Sequence, residues 1–322
     1  MSIIRLINIL IVAICALPWK TYCQDSAPVF ANLIDSNAQP QAFAPGVVSS
    51  RYDEWATSFS PDGKTVYFSR GGNYWTVCLA KKQGDTWLRP QVAAFSGTWR
   101  DTDPFVSPDG RRLFFVSNRP LDGMPKDKPN KNYHLWYVDH VQGDQWGTPH
   151  HIDGKVNLDS SSDYGPSVSA KGTLFWCSRD REGNKGMQGF YSTWLGDHYD
   201  QPKLLSISGA ESVQDPFVAP DESYLVFLNG MDIYISMRQG DGWAPAQKLC
   251  PQVNNGDYNS SPYVSRDGKT LYYSSGRVKG FYQRNYTGAA LNYDELEKEL
   301  NGCFNGSGNI LMIPIHLPEY GG

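Results

Sequence analysis

SFSPDGKTVYFS, residues 58–69, is the first of five copies of one pattern in this chain. The other copies are FVSPDGRRLFFVS (residues 105–117), SVSAKGTLFWCS (residues 167–178), FVAPDESYLVFLN (residues 217–229) and YVSRDGKTLYYSS (residues 263–275). Aligned on Asp62 and its counterparts at 109, 171, 221 and 267, the copies follow one another at intervals of 47, 62, 50 and 46 residues, by subtraction. That spacing is typical of a β-propeller, in which each repeat is one four-stranded blade.

Each copy predicts a strand, a tight turn and a second strand. The proline of Pro-Asp-Gly sets φ at the first turn position, and the glycine tolerates a positive φ at the last. The strand after the turn is apolar on both sides, as in Val66-Tyr67-Phe68, so it must be covered on both faces by neighbouring blades. The third copy has Ala170-Lys171 and the fourth has Glu222 within the turn, and we expect those two turns to be less regular.

A second repeat, Gly-Asp-x-Trp or Gly-Asp-x-Tyr, follows the first in four of the five units. It predicts a hairpin with an aromatic anchor, followed by an outer edge strand in which a proline does little harm. The copies occur at residues 84–87, 143–146, 196–199 and 240–243, and they lead to Pro90, Pro149, Pro202 and Pro245.

The fifth unit lacks this second repeat, and its third strand is predicted in GNILMIPIHL, residues 308–317. Near the start of the chain, Phe43-Ala44-Pro45 is similar to Trp243-Ala244-Pro245. We infer that the N-terminal segment supplies the outer strand of the last blade, which closes the ring and leaves no open sheet edge. The predicted fold is therefore all-β, a β-propeller of four-stranded antiparallel blades, with five blades favoured and six as the alternative.

The predicted organisation is a signal peptide at residues 1–23 followed by one propeller domain at residues 28–322. Arg5 precedes an apolar run at residues 6–17, which is too short to span a bilayer and ends before Pro18. We therefore expect an exported protein, periplasmic or secreted, with no transmembrane segment in the mature chain; lipidation at Cys23 is the less favoured alternative. The repeats lie near residues 53–98, 100–158, 160–209, 211–256 and 257–317, with residues 30–50 completing the last blade.

SPDGKTVYFSR and SPDGRRLFFVSNR resemble the repeat of the TolB-type, WD40-like propellers. The pattern of that family is a proline, an apolar pair, Ser-Pro-Asp-Gly and an aromatic strand that ends in serine. The resemblance covers about residues 42–317, and it implies an exported bacterial propeller that serves as a docking platform. The leading proline is present as Pro104, Pro166, Pro216 and Pro262, whereas the first copy has Thr57.

The best candidate for a binding site is the lead-in to each innermost strand, because these segments open toward the central channel of a propeller. At least one carboxylate per blade near that axis would focus negative potential and attract a cation such as Ca²⁺, a basic peptide or a sugar. The alternative is structural, since aspartates before strands often cap turns. No other cofactor is expected. The candidate residues are Asp53, Glu54, Asp101, Asp103, Asp163, Asp215 and Asp257, with Trp55 and Trp99 beside them as an aromatic platform.

These features predict a monomeric binding module for an envelope protein, a peptide or a glycan, with no chemistry of its own. The alternative is a glycan-active hydrolase or lyase that uses channel carboxylates as general acid and base. A serine hydrolase is not expected, because the chain has no Gly-x-Ser-x-Gly motif. The net charge of −4 and the lack of a basic stripe argue against nucleic-acid binding.

Four cysteines follow the predicted signal peptide. Cys78 and Cys177 fall in predicted strands, where we expect small core residues. Cys250 and Cys303 lie in looser segments of adjacent blades, and the sequence leaves open whether they pair. No Cys-x-x-Cys or paired-His spacing is present, so a structural zinc site is not expected.

Overall fold

The structure is a computed structural model that describes residues 33–143, 145–152, 155–255, 257–277 and 290–318. Five antiparallel sheets stand around a central channel as the blades of a β-propeller. Contacts between innermost strands run from each blade to the next and return from the last blade to the first. The five-bladed fold is therefore confirmed. The predicted signal peptide, with Cys23, lies outside the described residues.

The strands are numbered in chain order, and β1 (Gln41–Ala42) belongs to the last blade. The first blade contains β2 (Asp53–Phe59), β3 (Thr65–Gly71), β4 (Thr76–Gln83), β5 (Thr86–Trp87) and β6 (Gln91–Val92). The second contains β7 (Asp101–Val106), β8 (Arg112–Ser117), β9 (His134–Gln142), β10 (Gln145–Trp146) and β11 (His150–His151).

The third blade contains β12 (Ser162–Val168), β13 (Leu174–Arg179), β14 (Met187–Ser192) and β15 (Lys203–Leu204), with a 3₁₀ turn at Arg181–Gly183. The fourth contains β16 (Gln214–Val218), β17 (Tyr224–Asn229), β18 (Asp232–Gln239), β19 (Gly242–Trp243) and β20 (Gln247–Lys248). The fifth contains β21 (Asn259–Val264), β22 (Thr270–Ser275) and β23 (Asn309–Pro314), in addition to β1.

All blades share one layout, in which the strands pair in order from the channel outward. In the first blade β2 pairs with β3, β3 with β4, and β4 with the outer strand β6. The Gly-Asp-x-Trp motif forms the predicted hairpin, because β5 pairs with Lys82 and Gln83 at the end of β4.

The N-terminal segment closes the ring, as expected, because β1 pairs antiparallel with β23. The strand lies just before Phe43-Ala44-Pro45 and inside the predicted closing segment, residues 30–50; Pro40 precedes β1 as Pro90 precedes β6. Phe43 itself turns into the core between the first and last blades. Its ring centroid lies 5.5 Å from that of Trp87 and 5.1 Å from that of Tyr272. Burying this large ring between two blades is more favourable than leaving it on an edge strand.

The second strand of each blade is buried on both faces, as its unbroken apolar pattern predicted. Residues from neighbouring blades pack together there; Tyr67 of β3, for example, shares one cluster with Leu113 of β8. The main core therefore lies between the blades, and this packing positions the inner strands around the channel. Each second strand has at least one fully buried aromatic residue, namely Phe68, Phe115, Trp176, Phe227 and Tyr273 in chain order.

The Pro-Asp-Gly turns are held by local hydrogen bonds. In the first copy, Asp62 Oδ1 accepts a hydrogen bond from the Ser60 hydroxyl at 2.6 Å, and the Gly63 amide donates to the Ser60 carbonyl at 2.8 Å. Glu222 makes the same backbone bond in the fourth copy, with φ at 64°. The expected irregularity of that turn was therefore wrong. Glu222 adopts the left-handed conformation, and its carboxylate accepts a hydrogen bond from the Ser169 hydroxyl of the third blade at 2.8 Å.

One α-helix, α1 (Tyr293–Leu300), interrupts the last blade between β22 and β23. Asn292 and Glu295 form a reciprocal capping box at its start, since each side chain accepts a hydrogen bond from the other's amide. Within the described ranges, no helix is long and apolar enough to cross a membrane.

Cys78, Cys177, Cys250 and Cys303 are all free thiols. Cys78 and Cys177 are buried in strands, as expected. The open question of Cys250 and Cys303 is answered, since the two do not pair. Cys303 Sγ instead lies 3.3 Å from the carbonyl oxygen of Ser49.

Candidate functional site

Each innermost strand carries a β-bulge at the same position. In β2 the register shifts between Trp55 and Thr57, and the other four inner strands shift at the matching place. A bulge leaves one residue outside the ladder, so the proline that follows it in four blades loses no hydrogen bond. The bulged residues, with φ between 45° and 57°, are Ala56, Asp103, Gly165, Asp215 and Ser261.

These five bulged residues surround a small cavity on the propeller axis, which we call the channel cavity. Its volume of about 30 Å³ is enough for one water molecule or one ion. Two residues of the sequence-predicted site, Asp103 and Asp215, line it. The bulges thus bring carboxylates from the second and fourth blades to the axis.

The two carboxyl groups converge on one glycine. Asp103 Oδ2 accepts a hydrogen bond from the Gly165 amide at 3.0 Å. On the other side, a Cβ atom at Gly165 would lie 3.0 Å from Asp215 Oδ1. Asp215 Oδ2 accepts hydrogen bonds from the amide and the hydroxyl of Ser261, each at 3.1 Å. Each aspartate therefore reaches from its own blade to the bulge of the next.

Burial and mutual repulsion weaken the acidity of this pair. Desolvation, with a further contribution from the charge of Asp215, raises the pKa of Asp103 to about 7. Desolvation also raises the pKa of Asp215. Cys177 Sγ lies 3.6 Å from Asp215 Oδ1, and burial raises the pKa of this thiol well above its usual value, so it stays neutral. Full ionisation of both carboxyl groups is therefore costly at neutral pH.

Three other predicted residues, Glu54, Asp101 and Asp163, form ion pairs inside their own blades and are fully buried. Desolvation raises the pKa of Glu54 and brings that of Asp163 to about 6. The paired arginine also holds the segment that enters the blade; Arg119, for example, donates a hydrogen bond to the Phe95 carbonyl at 3.1 Å. These three carboxylates therefore stabilise the interior of their own blades through ion pairs. The pairs are Glu54–Arg70 at 3.1 Å, Asp101–Arg119 at 2.8 Å and Asp163–Arg181 at 3.6 Å.

Asp53 and Asp257 lie at the lead-in end of the channel, away from the channel cavity. Asp53 Oδ1 accepts a hydrogen bond from the Gly308 amide at 2.7 Å. Asp257 Oδ2 lies 3.5 Å from Arg277 Nε. Both carboxylates therefore have partners within the first and last blades.

The aromatic residues of the predicted platform lie in two places. Trp55 belongs to a cluster in which its ring centroid is 5.4 Å from that of Trp75 and 5.5 Å from that of Tyr258. Tyr258 is exposed and Trp55 is half-buried. Trp99 is half-buried in the bend before β7. The aromatic cluster at the lead-in end is thus formed by Trp55, Trp75 and Tyr258.

A second cavity, of about 730 Å³, opens at the opposite end of the channel, where the Pro-Asp-Gly turns lie. We call it the vestibule. It extends into a cleft between the second and third blades that is lined by Trp194 and Tyr199. The sequence analysis placed no site at this end. The turn residues that line the vestibule include Pro61, Pro108, Lys171, Pro220 and Arg266, one from each blade.

Three aromatic rings from the inner strands, those of Phe105, Phe217 and Tyr263, line both the vestibule and the channel cavity. The Tyr263 ring centroid lies 5.0 Å from that of Phe217 and 6.4 Å from that of Phe105. In the first and third blades this position is Ser58 and Ser167, whose hydroxyl oxygens accept hydrogen bonds from amides of the next blade. The three rings therefore form the floor of the vestibule.

Arg266 stands at the turn position that proline occupies in the first, second and fourth blades and that Ala170 occupies in the third. Its Nη1 atom lies 3.3 Å from the carbonyl oxygens of both Pro61 and Pro108, so the guanidinium extends from the fifth blade to the turns of the first and second. No carboxylate pairs with it in the part of the chain that the structure describes. The other cations of the vestibule do have such partners: Arg111 with Asp109 at 3.7 Å, Arg112 with Asp139 at 3.0 Å and Lys171 with Glu222 at 3.3 Å.

Sequence reasoning missed Arg266 and the three floor residues as parts of a site. Arg266 could have been recognised from the sequence. Three copies have Asp-Gly in the turn, and only the fifth has an arginine instead of a proline before the aspartate. Thr57 carried a similar signal, since it replaces the proline after the bulge. The floor residues carried none, because an aromatic residue in an inner strand looks like any other core residue.

No family model and no curated protein matches the chain. Among solved structures, the chain is similar to an α-L-arabinofuranosidase from Lactobacillus brevis, with 12% identity and a TM-score of 0.50 over 85% of this chain and 94% of that one. It is also similar to a gluconolactonase from Xanthomonas campestris, with 9% identity and a TM-score of 0.46 over 88% and 92% of the two chains. At such low identity, the similarity to the arabinofuranosidase shows the propeller fold alone.

Proposed function

We propose that this propeller is a binding module with no chemistry of its own, and that its ligand is an acidic glycan held in the vestibule. One observation carries the proposal: the Arg266 guanidinium is fixed beside an aromatic floor in a cavity large enough for a ligand. The predicted export of the protein would expose this cavity to glycans of the cell envelope or its surroundings.

The size of the vestibule supports a small ligand or the end of a chain. Its volume of about 730 Å³ lies in the range of roughly 300 to 1,000 Å³ that is usual for ligand sites. A flat protein interface needs no such cavity. The cleft toward Trp194 and Tyr199 offers room for a chain that is longer than one ring.

The lining of the vestibule suits a sugar that carries a carboxylate. Aromatic faces such as that of Trp194 present an apolar surface on which a sugar ring can stack. The Arg266 guanidinium offers several N–H donors in a planar fork, a geometry that matches a carboxylate. Because Nη1 is directed at the Pro61 and Pro108 carbonyls, the orientation of the remaining donors is already set. The site therefore favours an anionic saccharide over a neutral one.

The experiment is isothermal titration of the mature protein with oligogalacturonate and with a cello-oligosaccharide of equal length. We expect binding of the acidic glycan, weakened by salt, and at least about tenfold weaker binding in Arg266→Gln, because a hydrogen bond to a charged group is lost. Arg89→Gln is the matched control, since Arg89 is an exposed loop residue outside the vestibule. Equal affinity for the neutral glycan, or no effect of Arg266→Gln, would contradict the proposal.

A glycan hydrolase is the second candidate, and the channel carboxyl pair favours it. A carboxylic acid with a pKa of about 7, as at Asp103, is suited to act as a general acid. However, the channel cavity of about 30 Å³ does not admit a sugar ring, and the vestibule floor lies between the pair and the larger cavity. New reducing ends from a polysaccharide panel, lost in Asp215→Asn, would favour the hydrolase over the binding module.

A further inference from the structure

Thr57 is the polar residue of the channel cavity that the fold leaves unsatisfied. Its hydroxyl oxygen is buried without a hydrogen-bond partner among the described residues, and the residue is 4% exposed. A buried hydroxyl without a partner is unfavourable, because it has lost its hydrogen bonds to water. Four of the five blades avoid this cost with a proline at the same position. A ligand in the cavity that interacts with oxygen would satisfy this hydroxyl.

The channel cavity is rich in oxygen and has no basic side chain. Its lining offers the four carboxylate oxygens of Asp103 and Asp215, together with the hydroxyl oxygens of Thr57 and Ser261. No lysine or arginine is among the residues that line it in the described chain. Two carboxylates that share a buried site repel each other unless a proton or a cation lies between them. The cavity thus combines negative charge, oxygen atoms that can bind a cation and room for one ion.

We propose that the channel cavity binds one Ca²⁺ ion through Asp103, Asp215 and Thr57. Ca²⁺ takes six to eight oxygen ligands in flexible geometry, and this oxygen set provides that kind of site. Mg²⁺ is less suitable, because it demands near-ideal octahedral geometry and keeps several water molecules, for which a cavity of about 30 Å³ has no room. The inference does not depend on the ligand of the vestibule.

The location gives the ion a mechanical role in the ring. Thr57 belongs to the first blade, Asp103 to the second and Asp215 to the fourth, so one ion would join three blades at the axis. The hydrogen bond from the Gly165 amide to the Asp103 carboxylate extends this connection to the third blade. Binding to the folded ring alone stabilises it by mass action.

The test is thermal unfolding of the full mature protein after treatment with EDTA, with CaCl₂ or MgCl₂ added back. We expect the Tm to rise with the Ca²⁺ concentration and to respond much less to Mg²⁺. Tb³⁺, which substitutes for Ca²⁺ and accepts energy from nearby aromatic residues, gives a second readout. The charges of Asp103 and Asp215 act on Tyr258, so this tyrosine lies near the channel cavity. We therefore expect sensitised Tb³⁺ luminescence, which should decrease when Ca²⁺ displaces Tb³⁺.

Two variants and a control make the test specific. Asp215→Asn should abolish the Ca²⁺-dependent shift, and Thr57→Val, which keeps the side-chain shape, should weaken Ca²⁺ affinity about tenfold. Asp85→Asn removes the same charge from an exposed hairpin and should leave the shift unchanged. If Asp215→Asn does not fold, Thr57→Val alone decides. A wild-type protein without a Ca²⁺ shift or Tb³⁺ luminescence, or a Thr57→Val variant with unaltered affinity, would overturn the proposal.

Discussion

Gly165 and Asp215 lie so close that a Cβ atom on the glycine would be 2.8 Å from the Asp215 Cα atom. The glycine belongs to the bulge of the third blade and the aspartate to that of the fourth. Neighbouring inner strands therefore approach each other at the bulges to a distance that only a glycine permits.

Gly165→Ala should destabilise the propeller by about 3 kcal/mol, because the alanine would combine a left-handed φ of 57° with a collision against backbone. Urea unfolding monitored by tryptophan fluorescence measures the loss. Gly63→Ala is the control: its φ is 68°, but no atom lies within 4 Å of the added Cβ. The control should cost about 1 kcal/mol from the backbone conformation alone. Equal losses in the two variants would show that the close approach is relieved at little cost.

Arg119→Met should cost about 3 to 5 kcal/mol, because it leaves the carboxylate of Asp101 buried without its partner. Unfolding midpoints of the two proteins in urea give this difference. Lys126→Met is the comparison, since Lys126 forms an exposed pair with Asp122 at 3.3 Å and its loss should leave the midpoint unchanged. A small effect of Arg119→Met would mean that Asp101 can be hydrated or protonated in the folded blade.

Phe43→Ala should destabilise the ring by about 3 to 5 kcal/mol, because Phe43 fills the space between the first and last blades. The ring also contacts Phe59 at a centroid distance of 5.6 Å. Differential scanning calorimetry would measure the loss. Tyr74→Ala, at a residue that is 77% exposed, should have little effect. If the two variants unfold alike, the closing segment contributes little to the stability of the ring.

His134 should make the protein less stable as the pH drops below about 6.5, in opposition to buried carboxyl groups with a raised pKa, such as Asp103. This residue is buried at the start of β9, and desolvation lowers its pKa. At this residue the unfolded chain binds a proton near pH 6.5 that the folded chain does not, so the contribution of His134 to the free energy of unfolding rises with pH across this range. Its Nδ1 atom lies 3.1 Å from His151 Nε2, and the charge of Asp159 acts on it in the opposite sense.

Urea midpoints at about pH 5.5 and pH 7.5 test this dependence, with His134→Gln as the variant. The midpoint at pH 7.5 minus the midpoint at pH 5.5 should be lower in His134→Gln than in the wild type, and it should be unchanged in His316→Gln, which alters an exposed histidine. An unchanged difference in His134→Gln would assign the pH dependence to other groups.

The blade count, the turns and the closure of the ring could all be predicted from sequence, because each rests on short-range signals that recur. Asp62 and its counterparts act within a few residues of themselves, so their hydrogen bonds follow from the local pattern. The prediction located β1 only within residues 30–50, because Phe43-Ala44-Pro45, which resembles the outer-strand pattern, follows the strand and Phe43 packs in the core.

The candidate site shows where prediction from sequence ends. Arg266 meets Pro61 and Pro108 only because the ring closes, and nothing local to residue 266 reveals partners so distant along the chain. The floor of the vestibule has the same origin, since Phe105, Phe217 and Tyr263 come from three different blades.

The sequence by itself determined that acidic residues lie at the start of the inner strands of a five-bladed propeller, because that pattern recurs in each repeat. Only the tertiary structure decided which of them reach the axis. In a regular strand Asp101 and Asp103 would point to the same side, because side chains alternate with a period of two. The bulge between Thr102 and Phe105 breaks this alternation, so Asp101 pairs with Arg119 inside the blade and Asp103 lines the channel cavity.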